Sequence, residues 1–238
     1  MTSMRAIVLI GINYLRTQAI TVLIIVVYLA AMAVVFLHNP SGQESRFFVQ
    51  LHSFYVVFVA LMVAVPAIHA DRRSRRILAV LSKGIHRWEY LGGLLCGCGL
   101  VSAIFCGLVG GISWMLSLRA GYATAGLAGL MLMVFTCALM ASAIGLFFAT
   151  FLHPLLATFA ASATIALPLL LRQAGWNGAG AVFPASQLAE SIAKFQFGDP
   201  ASAGAIATTT TMAAAMTILF WIASAVIFAR RDVTVAPE

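Results

Sequence analysis

The stretch AGYATAGLAGLMLMVFTCALMASAIGLFFATFLHPLLATFAASATIALPLLL, from Ala120 to Leu171, runs for 52 residues without an Asp, Glu, Lys or Arg. About 20 apolar residues cross a bilayer, so this run is too long for one span and suits two. The break falls at His153-Pro154, because a proline opens a new helix well at its first turn. Outward from this run the same reading repeats. Thr17 to Asn39, Phe47 to Ala70, Tyr90 to Leu118 and Ala201 to Ala229 are further stretches free of charge or nearly so. The expected fold is an all-α membrane protein of one domain, residues 1–238. Its six transmembrane helices are expected near 19–37, 48–69, 90–118, 125–151, 155–171 and 205–229.

Composition agrees. Of 238 residues 62% are hydrophobic and 9% charged, and the mean hydropathy is +1.02. A soluble domain carries about 25% charged residues to face water. A soluble enzyme, a disordered tail and a small disulfide scaffold are thereby excluded. The net charge is +7, from 14 Lys and Arg against 7 Asp and Glu. In a soluble chain this would suggest nucleic acid; in a membrane chain the position of each cation reports topology. With six spans, Arg5, Arg16, Arg72, Arg73, Arg75, Arg76, Lys83, Arg87, Arg230 and Arg231 share one side, leaving Arg46, Arg119, Arg172 and Lys194 on the other. That asymmetry places both termini in the cytoplasm, in an inner (plasma) membrane, with lipids as partners and no nucleic acid. Cys96, Cys98, Cys106 and Cys137 lie in apolar stretches and form no disulfide framework.

Three segments outside the spans carry pattern. Ile7, Ile10 and Tyr14 share a helical face, with Arg5 and Arg16 beside it, as an amphipathic helix at the membrane interface would have. The apolar run that follows is about 21 residues, longer than a secretory h-region, so it reads as an uncleaved span. Beyond the fifth span, Leu188, Ile192 and Phe195 share a face, Glu190 and Lys194 form an i, i+4 pair, and Ser186 is the expected cap. With the turn-rich Trp176–Pro184 ahead of it, this reads as a reentrant hairpin of short helices dipping into the outer leaflet. Between the second and third spans, Leu78, Leu81, Ile85 and Trp88 recur at i, i+3, i+7 and i+10, flanked by Arg75, Arg76, Lys83 and Arg87. A basic loop that merely fixes topology accounts for the cations; the apolar row beside them needs something to pack on.

This last stretch, DRRSRRILAVLSKGIHRWEYLGG from Asp71 to Gly93, resembles the first cytoplasmic loop of ABC-2 type permeases, the membrane subunits of ATP-binding cassette exporters. In that family an acidic residue and a Gly-Thr precede a leucine-rich helix, followed by a Lys/Arg-Pro-(Val/Ile)-(Ser/Thr)-Arg turn and an aliphatic span. Asp71 takes the acidic position and Arg75-Arg76 the Gly-Thr position. Lys83-Gly84-Ile85-His86-Arg87 matches the turn with Gly84 for proline, and Leu94 stands where lysine follows the glycine. The resemblance implies a permease that dimerises with a second copy or a related permease. It also implies that the 71–88 loop forms a coupling helix on a separate nucleotide-binding subunit. Asp71, Arg75, Leu78, Leu81, Lys83, Ile85 and Arg87 are then the docking and force-transmitting residues.

No G-x-x-x-x-G-K-[ST] phosphate loop occurs in the chain, so it does not cradle ATP by that means. The chain is read as a non-enzyme without a cofactor of its own; ATP and Mg belong to the partner ATPase. Cys96 and Cys98, two apart on a helix, point to different faces and would not chelate together. His52 alone among the histidines is expected deep in a span, and one histidine makes no axial pair for haem. Gly93-x-x-x-Gly97 allows close helix approach, either within the chain or between copies. No span has a central charge for a proton relay, which argues against an ion-coupled carrier. The competing reading is a non-transporting membrane scaffold or assembly factor that recruits a cytoplasmic protein through the same basic stretch.

Overall fold

The computed structural model describes residues 3–16, 19–38, 41–74, 84–119, 126–175, 183–196 and 199–230, with single positions between, and all regular structure among them is α-helical. The eight helices are α1 (Ser3–Arg16), α2 (Ala19–Leu37), α3 (Gly42–Arg73), α4 (Arg87–Arg119), α5 (Leu127–Ala149), α6 (Pro154–Gln173), α7 (Pro184–Gln196) and α8 (Ala203–Arg230). Segments of α3, α4, α5, α6 and α8 are long and apolar enough to cross a membrane. In hydrocarbon every backbone amide and carbonyl must be satisfied within the segment, and a helix achieves this. The chain is thus an all-α, membrane-embedded protein with five such spans among the described residues. α2 is a further apolar helix of 19 residues.

Local chemistry sets the helix ends. Ser41 and Glu44 form a reciprocal capping box at the start of α3, the Ser41 amide donating to Glu44 Oε2 at 2.6 Å. Glu89, third residue of α4, reaches back to accept the His86 amide at 3.0 Å. Pro154 opens α6 after an extended His153. Pro66 lies inside α3, where it withholds an amide from the carbonyl four residues earlier. The buried Tyr14 hydroxyl of α1 donates to the neighbouring Val63 carbonyl at 2.7 Å.

α5 is the centre: 14 of its 23 residues are buried, against two of 20 in α6. It packs on α3 through small residues. A Cβ on Gly145 would lie 3.0 Å from Leu61 and 3.2 Å from Val65, and the Ser142 hydroxyl donates to the Ala60 carbonyl at 3.4 Å. α6 buries only Ala157 and Ala161. α8 turns the stripe Thr209, Ala213, Ser224 and Phe228 inward.

The Gly93-x-x-x-Gly97 seam is internal to the chain. A Cβ on Gly93 would sit 2.6 Å from Ile10, and one on Gly97 would sit 2.7 Å from the Tyr14 ring. Ile7, Ile10 and Tyr14 therefore face α4 rather than lipid, and Met4, Val8, Leu9 and Ile12 are the exposed apolar side of α1. The glycines explain the difference: a groove without side chains draws a helix in more closely than lipid does.

At the end of the bundle where α6 stops, α7 lies across the helices with Leu188 and Ile192 buried. Arg172 of α6 donates to Glu190 Oε2 at 2.6 Å, and Lys194 holds the other carboxylate oxygen at 2.7 Å. Gln187 Oε1 accepts from the Thr209 hydroxyl of α8 at 2.9 Å. Ser186 does not cap α7, because Pro184 begins the helix two residues earlier and the Ser186 hydroxyl donates to the Phe183 carbonyl.

Two outcomes follow from this packing. Gly145→Leu is expected to cost about 1–3 kcal/mol by overfilling the α3–α5 seam. Gly107→Leu, at a position with nothing within 4 Å, should leave the thermal midpoint in detergent unchanged; equal losses in both would refute the seam. The bonds from Lys194 and Arg172 hold the Glu190 carboxyl below its ordinary 4.5. A depressed folded value means that the tether is present at neutral pH and is lost as pH falls below 4.5. Amide protection across α7, measured against the intrinsic exchange rate at each pH, should fall on that acidification, and in Glu190→Gln it should already be lowered at neutral pH and respond less to acid.

Candidate functional site

The ends of the long helices sort onto two faces. The end of α3, the start of α4, the end of α5, the start of α6 and the end of α8 meet on one of them. It is the face that carries Asp71 and Arg87, and within the stretch between them Ile77 is buried in the core.

Five side chains tie this face together. Asp71, in the last turn of α3, is buried, and its Oδ2 accepts the Tyr90 hydroxyl of α4 at 2.9 Å. The Tyr90 ring is fully buried and stacks on Phe228 of α8, centroids 6.0 Å apart at 23°. Arg87, first residue of α4, donates through Nη1 to the Phe228 and Ala229 carbonyls at 2.8 and 2.9 Å. Its guanidinium carbon lies 5.9 Å from the Phe228 ring centroid. These carbonyls belong to the last turn of α8, where no amide of the helix follows to bond them. A cation there satisfies them and offsets the negative end of the helix dipole. On the other flank the Arg72 guanidinium donates to the Thr150 carbonyl at the end of α5, at 3.3 Å. Beside it the His69 and His153 rings approach to 6.5 Å between centroids.

Of the residues singled out in the sequence, Asp71 and Arg87 thus fall in one cluster, bridged by Tyr90 and Phe228. Ile85 is half-buried in the non-helical lead into α4. Arg75, Leu78, Leu81 and Lys83 lie outside the described residues. The stretch 71–88 is not one helix: Asp71 belongs to α3, Arg87 and Trp88 to α4, and Ile85 and His86 are non-helical. Gly84 gives the reason. Its φ of +76° is left-handed, a conformation that ends helices and that glycine adopts without strain. Ile85 and Trp88 therefore share no helical stripe.

Tyr90 and Phe228 carried no signal in the sequence as sites. A phenol 19 residues from its carboxylate follows no helical spacing, and Phe228 is one aromatic in an apolar span. The Glu89 contact had a local signal, a glutamate third in its helix.

The arrangement does mechanical rather than covalent work. It fastens α3 to α4, α4 to α8 and α3 to α5 at the two roots of the basic stretch. Removing the phenol in Tyr90→Phe should destabilise the fold by about 1.5–3 kcal/mol, the range for a hydrogen bond to a charged group. Arg87→Gln should raise amide exchange in the last turn of α8 and leave the centre of α5 protected; unchanged exchange at the end of α8 would show that Arg87 does not hold it. No family model matches this chain, and neither a curated protein nor a solved structure matches it, so the fastened helix ends are what a functional reading rests on.

Proposed function

We propose that the chain is the membrane subunit of an ATP-driven exporter of the ABC-2 type. In this reading α2 is the sixth span, both termini are cytoplasmic, and the face of Asp71 and Arg87 looks into the cytoplasm of a cell bounded by this inner membrane. α1 sits at that face. The segment ahead of α7 completes a reentrant hairpin on the far side. Two copies, or this chain and a related permease, form the pathway. The weakly buried α6, with Leu155, Leu156 and Phe159 outward, offers surface for that pairing. ATP and Mg are held by a separate nucleotide-binding subunit, docked on the 71–88 stretch.

One observation carries this reading: the basic stretch is rooted in residues that bind three spans to one another. Asp71 and Arg87 bracket it, and each is bonded directly, or through Tyr90 and Phe228, to another long helix. A topology-fixing loop needs only its charges. A stretch anchored at both roots into the bundle can deliver a displacement to α3, α4 and α8 together, as packed helices that switch between two arrangements do.

Purification of the tagged chain from its native membrane in mild detergent tests the reading. A near-stoichiometric ATPase with a phosphate loop should accompany it, and Leu81→Asp should keep membrane insertion while losing the coupling of ATP hydrolysis to transport. Absence of an ATPase, or unchanged transport in Leu81→Asp, would overturn the assignment in favour of a scaffold.

A further inference from the structure

At the Asp71–Arg87 face a cleft of about 560 Å³ opens between the start of α4 and the end of α8. Its volume is in the range of small-molecule sites. Its walls divide by chemistry. His86, Arg87 and Trp88 form the end at the start of α4, and Ile222, Ala225 and Val226 line the side along α8. Trp88 and Trp221 meet edge to face across it, centroids 6.2 Å apart. From Ile222 to Ala229 the wall extends about 10 Å along the helix axis.

We infer that this cleft seats one anionic phospholipid, its phosphate at the Arg87 end and an acyl chain along Ile222, Ala225 and Val226. Charge selects the headgroup. Arg87 is fixed at the mouth by its bonds to the Phe228 and Ala229 carbonyls. The exposed Arg230 follows at the end of α8, and the positive end of the α4 dipole begins at Arg87. The nearby carboxylates are withdrawn: Glu89 is buried on the His86 amide and Asp71 is buried on Tyr90. Depth selects a lipid rather than a soluble anion. Tryptophans are enriched at the headgroup level of membranes, and the exposed Trp88 stands at the start of α4 beside Arg87. The apolar wall beneath them belongs to a membrane-crossing helix. A soluble phosphate would leave that wall empty.

The test uses the full chain with Trp114→Phe and Trp176→Phe, so that Trp88 and Trp221 are the remaining indoles. It is reconstituted in phosphatidylcholine vesicles containing a small fraction of either phosphatidylglycerol or phosphatidylcholine brominated on the acyl chain. Brominated phosphatidylglycerol should quench the indoles at a mole fraction about fivefold lower than brominated phosphatidylcholine, the weight of one cation near a lipid surface. Arg230→Gln, at an exposed helix end, should reduce this preference, and Ala225→Phe should remove it by filling the cleft. Equal quenching by the two lipids would mean ordinary boundary contact and would overturn the site. Quenching by neither would mean that protein covers the cleft, and that too would overturn it. A preference retained in both variants would place the lipid elsewhere.

Discussion

Two apolar helices in lipid gain little by burying Leu against Leu, because the acyl chains they leave are just as apolar. What brings them together is backbone approach, and that requires residues with almost no side chain. This constraint orders the bundle. Gly11, Gly93 and Gly97 bring α1 against α4, and Gly145 with Ser142 brings α5 onto α3. Ala157 and Ala161 are all that α6 buries. The large side chains go the other way: Leu155, Phe159, Leu219 and Val27 are more than half exposed. In water such a surface would aggregate; in hydrocarbon it is the solvated face.

With the interior held by small residues, polar bonding between helices is concentrated near the helix ends. On one face Asp71, Tyr90, Arg87 and Arg72 join four helices. On the other, Arg172, Glu190, Lys194, Gln187 and Thr209 fasten α7 across α6 and α8. The two sets differ in kind. The Asp71–Tyr90 bond is fully buried, where desolvation makes a missing partner expensive. The Glu190 carboxylate is 40% exposed in its side chain, so water screens it and it can open at small cost. The first set is the rigid one, and it stands at the roots of the basic stretch.

The sequence made the helical membrane architecture legible because it is written in uncharged length. Ala120–Leu171 divides at Pro154, and α5 and α6 meet there. Glu190–Lys194 was legible because i, i+4 spacing is local. The direction of α1 was not. Ile7, Ile10 and Tyr14 form one face whether the neighbour is lipid or a glycine groove, and only the placement of Gly93 and Gly97 decides between them. Asp71 and Arg87 could be singled out by resemblance, yet their partners could not, since Tyr90 and Phe228 meet them across chain separations that no helical period encodes. The stripe read through Leu78, Leu81, Ile85 and Trp88 does not continue from Ile85 into Trp88, for a definite reason: periodicity counts residues through Gly84 as though the backbone did not turn there.

The packing along α4 then says where movement will be felt. The helix has 33 residues, about 50 Å, and its two halves are held differently. Near Arg87 it is gripped by α1 through Gly93 and Gly97, by Asp71 through Tyr90, and by α8 through Phe228. Towards Arg119 a Cβ on Gly107 or Gly111 would meet nothing within 4 Å, and an apolar groove of about 360 Å³ opens beside Leu127 and Met131 of α5, while Cys106 Sγ reaches the Met131 carbonyl at 3.4 Å and Val109, Ser113 and Leu116 stay buried. Close-packed interiors transmit displacement, whereas a gap too sparse in contacts absorbs it. In the proposed exporter, a push at Asp71 and Arg87 would be carried along the gripped half of α4. It would then reach the α4–α5 contact beside this groove, where glycines leave one helix the most room to shift against the other.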